Sequence, residues 1–315
     1  MAGKNQNSEE KSIRILKIIK RLYQKEILNG TDLANEFNID IKTVQRDIET
    51  LRAYFLEENG AEIKYSKSKK GYYLEENSQN SFTNEELLAI SKIILESRAF
   101  NKNETQTLIN KLINHSSGND KETIKGLINS EKSNYIPLQH GQNLLTVIWN
   151  LAQHIKNQEL IHINYTTKDK QNKNHNIKPL SIMFSEYYFY LIAYIENKEE
   201  YPAILRIDRI TEIKNTGKKF KILNYSKKFK DGEFRKYIHF MHSGPLTRIE
   251  FKYRGYIEYV LDKFPTAKIL DEKIVEENNW KTTVYTVKIE AYGSFGAEMW
   301  LRSQGDYVIE YKILK

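Results

Sequence analysis

The run Tyr188-Phe189-Tyr190-Leu191-Ile192-Ala193-Tyr194, followed by Leu205-Arg206-Ile207-Asp208-Arg209-Ile210, restricts the fold more than any other stretch of this chain. Aromatic and β-branched residues in short runs predict half-buried strands. Two arginines set among isoleucines sit badly in an ordinary core, so they call for an anion or a closely paired acid. Leu160 to Tyr165 alternates in the same way, and Ile177 to Ile182 follows after a polar turn over Thr166 to Asn174. Several short strands with polar turns predict a small barrel or a strongly bent sheet. If Leu205 to Ile210 is a strand, Arg206 and Asp208 share one face and Ile207 and Arg209 the other. Beside Tyr190 and Tyr165, Arg206 would offer a fork for a phosphate or carboxylate, with aromatic surfaces for a base. Arg209 is a further candidate for the same ligand, and the competing readings are an internal Arg206–Asp208 pair and Arg209 pinning a loop carbonyl. His162 reads as a rim residue.

At 315 residues the chain exceeds the usual single core, so two or three domains are expected. The balance of 49 basic against 41 acidic side chains, net +8, favours an anionic partner such as nucleic acid. With no cysteine there can be no disulfide framework, thiol nucleophile or thiolate metal site, which fits a reducing compartment. Met1 to Lys11 is polar and no stretch approaches the roughly 20 apolar residues of a membrane span, so a soluble, cytoplasmic protein with no membrane partner is expected.

At the amino-terminal end, Ile15, Leu16, Ile19, Leu22 and Tyr23 recur at helical spacing over Ser12 to Tyr23. A second helix follows Asn29-Gly30, with Thr31 as its cap and Leu33, Ala34 and Phe37 turned inward. Asp40 is placed to cap a third, whose buried face carries Val44, Ile48 and Leu51. Two short helices joined by so brief a turn describe a helix-turn-helix. Opposite the buried face lie Lys42, Thr43, Gln45, Arg46 and Glu49. Arginine can fork onto guanine and glutamine onto adenine, while lysine and threonine can hold phosphate. Ala61 to Tyr65 and Gly71 to Leu74 then read as a hairpin whose turn gathers Lys64, Lys67, Lys69 and Lys70, a wing tip able to neutralise phosphates. Asp47 reads as structural, paired with Arg46, Arg52 or a backbone donor.

Ile39 to Leu51, with Gly71-Tyr72-Tyr73-Leu74 after it, resembles bacterial winged-helix regulators in which a threonine, an Arg-Asp pair and a later leucine mark the recognition helix. Asp40 departs from the serine usual there. Phe189-Tyr190-Leu191 is similar to the Trp-Tyr-Leu tripeptide of the WYL domain, with phenylalanine for tryptophan, and Pro179 and the block Leu205 to Ile210 match that family in order. The resemblance implies an Sm-like barrel and ligand sensing attached to DNA binding. Regulators of phage-defence loci often carry such domains, although no residue here selects that pathway.

Between these regions Thr83 to Glu86 is a capping box opening an amphipathic helix. Further helices are expected over Glu104 to Asn114 and Lys121 to Ile128, separated by Ser116 to Asn119, with another from Gln142 to Lys156. The last stretch reads strand, helix, strand, strand, helix, strand from Arg248 to Tyr311, the ferredoxin-like plan, and resembles the extension that follows WYL domains. The expected α+β architecture is therefore a winged helix-turn-helix DNA-binding domain at 1–77 and a helical linker or dimerisation region at 78–140. A WYL domain at 141–244 and a carboxy-terminal extension at 245–315 complete it.

Chemistry is thinly represented. There is no Gly-x-Ser-x-Gly, no phosphate-binding Gly-Lys-Ser/Thr loop and no His-Glu-x-x-His, and the glycines at Gly293 to Gly296 read as a turn and helix entry. His239 and His242, with Asp231 and Glu233 before them, read as a surface cluster. No enzyme, metal or cofactor is expected. The expected function is a homodimeric transcription regulator, a repressor, that binds a double-stranded operator and senses a nucleotide or nucleic-acid-like effector. Its rival is an accessory module recognising single-stranded DNA or RNA within a larger complex.

Overall fold

Ile15, Ile18, Ile19 and Leu22 fall on one side of the first helix, α1 (Ala2–Tyr23), while Leu16 is 64% exposed and belongs to the outer face. The structure is a computed structural model describing residues 2–24, 26–59, 61–75, 82–115, 120–221, 229–277 and 280–314. It divides into two compact units, residues 1–91 with 111–127, and residues 92–110 with 128–315.

In the first unit, α2 (Gly30–Glu36) is capped by Asn29, whose side chain accepts the amides of Thr31 and Asp32, so the expected cap at Thr31 is two residues too late. Asp40 does cap α3 (Ile41–Asn59), accepting the Thr43 amide at 2.9 Å. Strands β1 (Glu62–Ser66) and β2 (Gly71–Glu75) form the expected antiparallel hairpin. A third stretch joins it, because Leu28 and Tyr72 exchange both backbone hydrogen bonds at 2.8 Å. A side chain at Gly71 would lie 2.6 Å from Ile27 and 3.0 Å from the Leu28 carbonyl, so glycine is what lets this third strand approach. Ile18, Leu22, Leu33, Val44, Ile48, Leu51, Phe55 and Ile63 make one core of helices and wing together.

The helices α4 (Asn84–Ser97), α5 (Lys102–His115) and α6 (Asp120–Ser133) follow, the latter two longer than expected, and the division into units passes through all three. The capping box is present, with the Thr83 amide donating to Glu86 at 2.8 Å and the Glu86 amide to Thr83 at 3.2 Å. Ser116 to Asn119, read as a separator, lies outside the described residues. No described helix is long and apolar enough to cross a membrane.

In the second unit, α7 (Leu144–Asn157) begins without a cap of its own. The Glu104 carboxylate on α5 accepts the amides of Leu144 at 3.1 Å and Leu145 at 2.9 Å, placing negative charge at the helix start. Five antiparallel strands follow: β3 (Glu159–Thr166), β4 (Asn172–Ser185), β5 (Tyr188–Ile195), β6 (Lys198–Arg206) and β7 (Ile210–Lys219), in the sheet order β6-β5-β4-β3-β7. The expected barrel is not closed, since β6 and β7 share no ladder. Yet only the 3-10 turn Ile207–Arg209 joins them, and it can reach about 14 Å at most, whereas the edges of a flat five-stranded sheet lie about 19 Å apart. The sheet therefore rolls until its edges meet at that turn. Burial explains why β5 is so apolar. Leu191 and Ala193 face the core of α7 and β3, while Ile192 faces Met183 and, from α8 (Asp231–Tyr237), Phe234.

The remaining elements are β8 (Leu246–Arg254), α9 (Glu258–Lys263), β9 (Lys268–Glu277), β10 (Trp280–Tyr292), α10 (Phe295–Ser303) and β11 (Val308–Leu314), with sheet order β11-β8-β10-β9. One sheet face, with Ile249, Phe251, Val287 and Ile289, packs on Val260, Phe264, Trp300 and Leu301 of the helical layer. The histidine pair departs from expectation. Helix α8 stops at Tyr237, and His239, 5% exposed, lies against Phe264 with its imidazole pushed down to about 4 by burial. A side chain at Gly296 would lie 1.9 Å from the His239 carbonyl, so that glycine serves close packing.

Candidate nucleic-acid interface and ligand site

One face of α3 is committed to the core and leaves Lys42, Gln45, Arg46 and Glu49 exposed. Neither Lys42 nor Arg46 forms an ion pair among the described residues, although the charge of Arg46 helps to lower the Asp40 pKa. Thr43 is half-buried, and its hydroxyl donates to Asp40 at 2.8 Å, so its one proton is already used. That bond and the Thr43 amide hold the Asp40 carboxyl below the usual aspartate range. Asp47 is structural, as expected, but its partner is Arg14 on α1 at 2.7 Å rather than Arg46 or Arg52. Arg52 instead pairs with Glu49 and donates to the Ile63 carbonyl at 2.9 Å, tying α3 to the wing. Glu49 is thereby occupied within the helix.

The wing lysines separate into two kinds. Lys64 lies between Glu62 and Glu75, and the hydrogen bond from its ammonium to Glu75 raises its pKa, so it is neutralised within the hairpin. Lys67, Lys69 and Lys70 are exposed at the tip with no acidic partner among the described residues. The turn is fixed by the Lys69 amide donating to Ser66 at 3.2 Å and by Asn29 donating to the Lys70 carbonyl at 2.9 Å.

In the rolled sheet, β6 ends at Arg206, so strand alternation does not extend to Asp208 as expected. The 3-10 turn folds Asp208 back, and its carboxylate accepts from Arg206 Nε at 3.0 Å and Nη2 at 2.7 Å. Burial opposes the Arg206 charge, and the hydrogen bonds to Asp208 outweigh it, so the guanidinium pKa is raised. Arg206 lies opposite Tyr190 in the register, as the sequence suggested, but the ring beneath its guanidinium is Tyr188, 3.4 Å from centroid to Cζ. Tyr165 meets only the backbone, its hydroxyl accepting the Arg206 amide at 3.4 Å. Arg209, half-buried, has no carboxylate partner among the described residues. Of the two arginines put forward for a ligand, Arg206 thus also makes the internal pair, and Arg209 has no such pair among the described residues.

Two residues were missed. Tyr188 shares the strand face of Tyr190 by simple alternation, so the signal was present. His140 had none, lying far from the block in sequence. Its Nδ1 accepts the Gln142 amide at 3.0 Å, which puts the proton of the neutral ring on Nε2, and that buried nitrogen has no hydrogen-bond partner among the described residues. Burial lowers its pKa, with Asp208 and Arg206 acting in opposite directions on it. Two guanidiniums, one carboxylate, tyrosine rings and an imidazole donor can receive an anion carrying an aromatic group.

The solved structures similar to this chain include proteasome accessory factor B/C (PafBC) of Arthrobacter aurescens, at 13% identity over 96% of this chain and 45% of that one, with a TM-score of 0.29. Another is a CRISPR Cas-related protein, at 12% identity over 98% of this chain and 79% of that one, with a TM-score of 0.32. The chain spans less than half the length of the former, and TM-scores this low carry no argument about arrangement. No curated protein matches. An HTH domain family matches residues 14–73, the three helices and the wing, and the WYL domain family matches residues 146–215, the span of the aromatic strand and its arginine block. The chain thus carries an HTH domain and a WYL domain, a combination that supports a DNA-binding regulator.

Proposed function

We propose that this protein is a homodimeric transcriptional repressor whose winged helices bind a two-fold-related double-stranded operator while its WYL domain senses a nucleotide or nucleic-acid-like anion. The observation carrying the DNA-binding part is the set of uncommitted cations in one small domain: Lys42 and Arg46 on α3, and Lys67, Lys69 and Lys70 on the wing tip. A single winged helix buries little surface, which favours two readers on one operator. The rolled sheet supports an Sm-like barrel left partly open. The order β11-β8-β10-β9 with a βαββαβ succession supports a ferredoxin-like extension. Effector binding would act by linkage, and a coupling of about 1–3 kcal/mol changes operator affinity several- to a hundredfold.

Arg46→Ala is expected to lower affinity for a cognate promoter fragment by about 1–3 kcal/mol and to relax sequence preference, read by fluorescence anisotropy on cognate and scrambled duplexes. Unchanged affinity sinks the recognition-helix assignment. The wing gives a sharper contrast. Lys69→Ala is expected to reduce the slope of log K against log salt by about 1, whereas Lys64→Ala leaves it nearly unchanged because Glu75 already holds that ammonium. Equal effects of the two variants count against the division of the wing lysines.

A further inference from the structure

The carboxy-terminal sheet ends on β9 and β11, with nothing among the described residues paired to the outer edge of either. Proteins commonly blunt such edges with proline, very short strands, lysines or bulges, and of these β11 carries Lys312 and a bulge after Val308. Over Val308–Leu314, β11 has no proline and leaves Ile309 and Ile313 about half exposed. We propose that β11 is a homotypic pairing edge: two copies of this chain join their β11 strands antiparallel about a two-fold axis at Tyr311, fusing two four-stranded sheets into one of eight. This rests on the homodimer in the reading above and gives it a surface and a register.

Symmetry leaves few registers. A two-fold axis perpendicular to a sheet keeps each face on its own side, and directly opposed residues share a face, so some residue must oppose its own copy. Centring on Glu310 or Lys312 sets like charges against each other. Centring on Tyr311 sets Glu310 opposite Lys312 of the second copy and brings Ile309 toward Ile313, where the regular pairing ends. The bulge between Val308 and Glu310 falls at the strand end.

The neighbouring strand agrees. Glu310 pairs with Lys252 at 2.8 Å and Lys312 with Glu250 at 2.7 Å, both on β8. In the proposed register each row runs Lys252, Glu310, then the second copy's Lys312 and Glu250, alternating in sign across four strands. The other edge lacks this property. On β9 the register that matches Asp271 with Lys273 and Lys268 with Glu276 puts Glu272 against itself on the axis.

Sedimentation equilibrium of the full chain tests the proposal. The wild type is expected to dimerise. Glu310→Lys and Lys312→Glu should each weaken self-association about tenfold or more, because both symmetry-related pairs become like-charged. Each breaks only an exposed pair to β8, so folding is kept. Mixing the two variants should restore dimerisation, since in the mixed pair every reversed charge meets its opposite. The chain has no cysteine, so Tyr311→Cys gives a lone thiol facing its own copy at a Cα separation of about 4.5–5.5 Å, within disulfide range. It should cross-link on oxidation, and Glu272→Cys on β9 should not. A monomeric wild type removes the homodimer itself. A dimer indifferent to both charge reversals keeps the homodimer and overturns the β11 edge.

Discussion

Asp47→Ala is expected to cost about 3–5 kcal/mol, most of the stability of a small winged helix, and to abolish operator binding with it. The carboxylate is 3% exposed and its partner, the Arg14 guanidinium, 11%. Removing the acid leaves a buried cation on α1 facing the core side of α3, with no other carboxylate paired to it among the described residues. The distinction from Arg46 is sharp although the two are adjacent. Arg46→Ala should weaken binding in a domain that still melts normally, whereas Asp47→Ala should lose binding because the domain no longer holds its shape. Replacing both partners with apolar residues, Arg14→Met with Asp47→Leu, should recover much of the loss, since the cost lies in the stranded charge. Urea unfolding of the four corners of this double-mutant cycle measures the coupling. A cost below about 1 kcal/mol for Asp47→Ala would mean that water reaches Arg14 and the pair is only a surface contact.

The reading of Asp47 shows where sequence informs and where it stops. Helical spacing gave α3 and its buried face directly, because Val44, Ile48 and Leu51 repeat with the period of the element that buries them. The same reasoning placed Asp47 on a structural side, but it searched for partners within the helix, and the partner sits 33 residues away on α1. Capping followed the same rule. The local caps at Asp40 and Thr83 were legible, while α7 is capped by Glu104 from another helix, which no local pattern announces. The arginine block failed for a different reason. Alternation assumes the strand continues, and here it ends at Arg206 because the rolled sheet needs a tight turn to bring its two edges together. That turn folds Asp208 back onto Arg206, which the alternation could not show. Aromatic character survived the error, since Tyr188 and Tyr190 lie on one face whichever way the turn goes.

Arg206→Ala and Asp208→Asn are expected to move stability in the same direction and anion binding in opposite ones. Asp208 is 5% exposed and Arg206 21%, so deleting the arginine strands the more deeply buried charge. Loss of about 3 kcal/mol is expected for Arg206→Ala, and less for Asp208→Asn, where the guanidinium can still lie over Tyr188 and reach solvent. Binding behaves differently because Asp208 occupies Nε and Nη2, the geometry a phosphate would use. If an anionic effector competes with Asp208 for the fork, Asp208→Asn should tighten binding of a mononucleotide several-fold and Arg206→Ala should abolish it. Arg209→Ala should weaken binding with little effect on stability, since that guanidinium has no carboxylate partner to strand among the described residues. Calorimetric titration with a mononucleotide and with inorganic phosphate, beside urea unfolding of each variant, separates these effects. If Asp208→Asn instead weakens binding as much as Arg206→Ala does, the carboxylate positions the fork for the ligand rather than competing with it. The ligand must then approach through the remaining Nη1 of the guanidinium.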